Sequence, residues 1–361
     1  MKKKILSMAI VLSLMVTIFT GCNGNNANKA ANASEGTANS SNTNSEGIKD
    51  GPTNPFTGEI VQDKEASLNR PIAVMVNNIK VSLPQKGIAD ADIIYEMPVE
   101  GAITRLMAVF SDYNKLKDIG SIRSARHDYV ELIAPYQPIY VHFGGSVAGK
   151  EAIKNNNVED IDGLYMSGTA FYQDKERLKT KAREHTWFTN TQKLQKGIAQ
   201  KGYQTKLKQP IQPLFQFAKP KANVMQENAE AVDTNKVTFP FSTTQNSSFT
   251  YNTETKQYEK GQFGEPHMDV GANKVASVTN VLMMYTDVGF VPGTINKEIN
   301  LAKGAGYYIS NGKRIEVTFS KKGINDNLKV FDKSGKELVI NAGKIWVCVI
   351  PQELKQGISF Q

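Results

Sequence analysis

Cysteine is almost missing from this chain of 361 residues, which has only Cys22 and Cys348. Two cysteines cannot build the disulfide framework of a small secreted scaffold. Histidine is scarce too. His127, His142, His185 and His267 form no H-x-x-x-H or H-E-x-x-H pair, so no zinc site is expected. Asp160 and Asp162 in "EDIDG" lack the register and distal glutamate of an EF-hand and read as a turn. There is no P-loop, G-x-G-x-x-G or haem-attachment signature, and no cofactor is expected. The lysines are spread over the whole length with no long arginine-rich tract, which leaves a nucleic-acid partner without support.

What is present begins at the first residue. "MKKKILSMAIVLSLMVTIFTGCNGNN" has three lysines, an apolar run to about Thr20, and then Gly21-Cys22. The run is shorter than the roughly 20 residues that cross a hydrocarbon core and ends in small residues, as a cleaved secretory signal does. "IFTGC" resembles a bacterial lipobox, which predicts lipidation of Cys22 after cleavage. Cys348, in the alternating apolar run "GKIWVCVIP", then reads as a buried core residue. Losing Lys2, Lys3 and Lys4 takes the formal charge from +8 to +5. Anionic lipid heads or wall polymers are the available partners of such a mildly basic surface protein.

The expected organisation is a signal peptide over 1–21, a lipidated cysteine and flexible Asn/Ser/Ala-rich tether over 22–53, and an N-terminal α/β domain over 54–204. An interdomain connection over 205–235 and a β-rich domain over 236–361 follow. The fold class is α+β. "PIAVMVNN", "DIIYEMPVE", "ITRLMAVF" and "PIYVHFGG" predict strands, while "ARHDYVELIAPY", "GKEAIKNN" and "NTQKLQKGIAQKGY" carry helical spacing. In the second half, Asn311-Gly312 between alternating runs predicts a hairpin, and 333–336 a second turn.

Chemistry concentrates in "GSIRSARHDYVELIAPY", which opens at Gly120. It sets Arg123, Ser124 and Arg126 at the entrance of a predicted helix capped by Ser121 or Ser124. Cations there face the positive end of the helix dipole, so the pattern calls for an anion. Glu96 and Glu100, with Arg105 following, supply internal candidates. The residues leave two readings open: an ion-pair network among these side chains, or a site whose arginines hold an acidic ligand. His142 ends a strand ahead of Gly144-Gly145-Ser146. Ser146 reads as a helix cap, since Gly149 comes one position too late for a G-x-S-x-G elbow. His185 in "AREHTWFT", and His267 with Asp269 in "GEPHMD", complete the candidate ligand-binding set.

Together "IADADIIYEMPVEGAITRLMAVF", "GSIRSARHDYV", "VHFGGS" and "EPHMDVGANKVASVTNVLMMY" resemble the YerB-like bacterial lipoprotein family over about Asn69 to the end. The resemblance implies a two-domain, membrane-anchored extracytoplasmic protein and brings no catalytic assignment. Phe319 and Thr186 depart from the family pattern, which implies no strict catalytic role for either position. The expected function is noncatalytic binding of an anionic cell-envelope component, such as peptidoglycan or a wall polymer, on the outer face of the cytoplasmic membrane. One alternative is a wall hydrolase using Glu96 or Glu100 as acid or base with His142 assisting. Another is a docking scaffold for an envelope protein through the C-terminal sheet.

Overall fold

Three strands made almost wholly of apolar residues set the frame. The computed structural model describes residues 51–361. The expected signal, Cys22 and nearly all of the tether lie outside them. Strands β1 (Ile72–Asn78), β2 (Ile93–Pro98) and β3 (Thr104–Phe110) are buried at every position, as their near-continuous hydrophobic runs require of strands covered on both faces. After them come the short β4 (Ile119–Gly120), helix α1 (His127–Ile133), β5 (Ile139–His142), helix α2 (Val147–Asn155) and β6 (Asp160–Asp162). Helix α1 is shorter than its apolar spacing suggests. Pro135 has no N–H to continue the ladder, and a 3-10 turn, Ala134–Tyr136, follows.

The second half is strand-rich. Lys303–Ser310 and Lys313–Ser320 form the hairpin expected at Asn311-Gly312, both of which take the left-handed backbone of a tight turn. The turn at 333–336 also forms, held by the Asp332 carboxylate accepting from Ser334 N–H at 2.9 Å and Lys336 N–H at 3.1 Å. A six-stranded sheet contains Lys236–Pro240, Asn246–Asn252 and Gln257–Gln262.

Both halves meet in one 11-stranded sheet. Its order runs from 232–233 through 313–320, 303–310, 280–286 and 345–351 to β2, β3, β1, β5 and β6. The last long strand, Ile345–Pro351, lies parallel to both Asn280–Thr286 and β2, joining them edge to edge. The described residues accordingly fall in one compact unit.

Strand alternation divides the core in two. Met75, Tyr95, Met97, Met107 and Val347 pack on the side of α1 with Tyr129, Val130 and Ile133. Val74, Ile94, Leu106, Trp346 and Cys348 face the other way, onto Phe239, Phe249 and Tyr258 of the six-stranded sheet and Leu194 and Ile198 of the helix Thr191–Lys201. Cys348 is a free, buried thiol whose pKa burial pushes well up, as suits a core residue.

Candidate functional site

Residues 121–125 run as an extended segment clamped from three sides. Asn77 N–H donates to Ser121 O at 2.8 Å and Arg123 N–H to Met75 O at 3.0 Å, fixing the segment to β1. Ile122 N–H reaches Trp187 O at 2.8 Å, and on the far side Phe143 N–H donates to Arg123 O and Ala125 N–H to Gly144 O. Neither expected serine caps α1. Its N-cap is Arg126, with no side-chain cap, and Ser121 Oγ is buried without a hydrogen-bond partner among the described residues.

The alternation of β3 then selects which groups meet. Arg105 lies opposite Asn77 and points to the α1 side. Its guanidinium donates to Ser124 O at 2.8 Å and to Glu100 Oε1 at 2.5 Å. Arg126 takes the other oxygen, with Nε and Nη2 at 3.0 and 2.6 Å from Glu100 Oε2, and also donates to Ala125 O at 2.7 Å. One carboxylate thus answers two guanidinium groups. Burial, reinforced by Arg126, pushes Arg105 down to about 10, opposed by Glu100.

Arg123 is left over. Its half-buried guanidinium makes no ion pair or hydrogen bond among the described residues, and its Nε is buried unpartnered. Burial lowers its pKa, Arg126 adds to the effect, and Glu184 and Glu100 oppose it from a distance. His185 stands beside it, its Nδ1 2.8 Å from Asn77 Nδ2, and burial together with Arg123 holds the imidazole below its ordinary value. Neutral at pH 7, it is an uncharged polar neighbour of Arg123. Asn77 and Glu184 are site residues that the sequence reading missed. A polar pair ending an otherwise apolar strand, "VMVNN", was the available signal.

His142 and Ser146 hold the adjoining loop in shape. His142 is buried, with Nδ1 2.9 Å from Gly144 O and Nε2 3.0 Å from Asp160 Oδ2. Ser146 caps α2 by accepting from Gly149 N–H at 3.0 Å, as the missing nucleophile-elbow spacing suggested. Gly149 is required here: a Cβ would sit 2.8 Å from Ala125 O.

Three expected members lie elsewhere. Glu96 is on the opposite face of the sheet from Arg105, because it shares a face with Thr104 and Leu106. It has no exposed surface; Lys260 Nζ stands 3.4 Å away, and Trp346 Nε1, Asn78 Nδ2 and Thr104 Oγ1 donate to it. His267 is buried against Trp346 and Gln85, its pKa pushed down to about 3 by burial and Lys260. Asp269 caps backbone, accepting from Gly87, Ala89, Gly271 and Ala272 N–H groups. The pairing of glutamates that a wall hydrolase needs is therefore not formed: Glu96 is sealed in the core and both Glu100 oxygens are held by arginines.

Fold and site define the class: an α+β protein whose two halves share one sheet and whose half-buried charged cluster is rich in arginine. The family described as protein of unknown function (DUF3048), N-terminal domain, matches residues 56–204, and its C-terminal domain matches residues 237–347. The chain belongs to this family. A Bacillus subtilis (strain 168) protein named "Putative lipoprotein YerB" is 30% identical over 309 residues, which cover 84% of this chain and 88% of that protein. The crystal structure of YerB protein from Bacillus subtilis matches with a TM-score of 0.74 and 24% identity over 86% of this chain and 99% of the other, a likeness of fold. No described helix is long and apolar enough to cross a membrane.

Proposed function

We propose that the chain is a lipid-anchored lipoprotein on the outer face of the bacterial cytoplasmic membrane, attached through Cys22. Its arginine cluster binds the carboxylate or phosphate of an anionic cell-envelope component, a peptidoglycan fragment or a wall polymer. The anchor reading rests on the lipobox-like "IFTGC" and on the lipoprotein name of the Bacillus subtilis relative.

The binding reading is carried by Arg123. Three guanidinium groups sit in one another's field, Glu100 pairs with two of them, and the third has a buried, unpartnered N–H. A desolvated cation in this state gains from an anion, and a charge-assisted hydrogen bond contributes about 1.5–3 kcal/mol.

Calorimetric titration of residues 51–361 with peptidoglycan fragments and anionic wall polymers tests it. Saturable heat in the wild type that Arg123→Ala removes, with the melting temperature unchanged, is the expected result. Equal heats in both proteins, or none in either, would sink the reading. Labelling with a radioactive fatty acid, lost in Cys22→Ala, checks the anchor separately.

A further inference from the structure

A second basic surface lies beside this cluster, and its composition differs. Two chain segments, 80–86 and 174–184, hold seven basic residues against three acidic ones, which is most of the +5 that remains without residues 1–21. The structure binds them into one platform. Arg177 donates to Pro84 O at 2.8 Å, to Ser82 O and, through Nε, to His185 O at 3.2 Å; Lys181 donates to Val81 O at 2.8 Å; Lys86 pairs with Asp174 at 3.0 Å. These cations are held by the fold. Lys80, Lys175 and Arg183 are exposed around them, as is Lys179, whose ammonium pairs with the exposed Glu176 at 2.6 Å.

Two apolar side chains project from the same platform where the stitching would allow polar ones: Val81 is 61% exposed and Leu178 is 44% exposed. Nearby charge is already unfavourable to more of the same sign, since burial and Arg177 lower the pKa of Lys181. We infer that this platform docks on the interface of an anionic lipid bilayer, with Val81 and Leu178 entering the headgroup region and the surrounding lysines and arginine meeting lipid phosphates. The pairing of apolar tips with a cationic rim is what selects a bilayer over a soluble polyanion, which offers phosphate but nothing for valine and leucine to enter. The surface needs no lipid on Cys22 and none of the Arg105–Arg123–Arg126 cluster.

Co-sedimentation of residues 51–361, which contain both hydrophobic cores, with phosphatidylcholine vesicles and with equal mixtures of phosphatidylcholine and phosphatidylglycerol is the test. Binding to the mixed vesicles alone, weakening as salt rises, is expected. Val81→Ser with Leu178→Ser should lower it several-fold. Lys175→Glu with Lys179→Glu should lower it at least roughly twenty-fold, since each cation near such a surface contributes about fivefold. Arg123→Ala should leave it unchanged. All four positions substituted in these two pairs are exposed, and a melting curve for each variant checks that it stays folded; a lysine pair that melts early is replaced by Lys80→Glu with Arg183→Glu. Equal binding to both vesicle types overturns the inference. So does insensitivity to the serine pair, which would mark a general polyanion surface, or loss of binding in Arg123→Ala, which would assign the phosphate to the arginine cluster.

Discussion

Lys260 and Glu96 show how much one residue can carry when it sits in a core. Neither side chain has exposed surface, and burying two ions is costly unless each finds full compensation. Here Lys260 also donates to Ser247 Oγ at 2.7 Å and Gly261 O at 3.2 Å, and stands over the rings of Phe249 and Trp346 at 5.3 and 5.4 Å. Glu96 has three neutral donors of its own. Lys260→Met should therefore cost about 3–5 kcal/mol in urea unfolding, because it strands a carboxylate in the core. Adding Glu96→Gln should recover much of that loss. A double variant no more stable than Lys260→Met alone would show that the pair does not act as a unit. Lys260 was findable from the sequence: in Gln257–Gln262 it alternates in phase with Tyr258 and Gln262, on the face that turns out to be buried.

At the scale of elements, the start of α1 is pinned to the strand Lys297–Ile299 through Asp128, whose Oδ1 accepts from Ile299 N–H at 2.9 Å and lies 3.2 Å from His127 Nε2. Burial raises the Asp128 carboxyl from 3.8 to about 7, with Glu131 and Glu298 adding to the shift and the Ile299 N–H opposing it. The folded state thus holds a proton that the unfolded chain releases near pH 4. Its stabilising contribution is full below that pH and is lost as pH rises through about 7. Asp128→Asn keeps the acceptor and removes the penalty, so it should raise stability at pH 8 by on the order of 2 kcal/mol and change little at pH 4. A gain of equal size at both pH values would mean that the proton is not responsible. Such elements were largely legible: hydrophobic period placed β1, β2, β3 and β5, and Asn311-Gly312 placed its hairpin. The charged cluster was legible only in part. Spacing brought Glu96 and Glu100 together with the arginines. The period-two alternation of β2 and β3 instead sends Glu96 to one face and Arg105 to the other, and which face meets which partner depends on the distant strands that cover it.

For the whole molecule, the strand Ile345–Pro351 decides how the halves behave. It is buried at all seven positions and pairs with Asn280–Thr286 along its full length and with Ile93, Ile94, Tyr95 and Glu96 on its other edge. Its side chains enter both cores, Val347 and Val349 on one face and Trp346 and Cys348 on the other. A sequence-local reading sees an α/β segment, a connection and a β-rich segment, because pairing between residues 250 positions apart leaves no trace in local period. The physical consequence is that the N-terminal family segment, 56–204, should not hold together by itself: without the rest of the chain the buried edge of β2 opens to water with its apolar neighbours gone, and Glu96 loses Trp346 and Lys260. Residues 51–361 should melt in a single calorimetric transition with equal calorimetric and van't Hoff enthalpies. A chain ending before Gly343 should show no cooperative transition in either half. Two separable transitions in the intact body, or a folded 56–204 fragment, would mean that the shared sheet does not couple the halves and that each completes its own core.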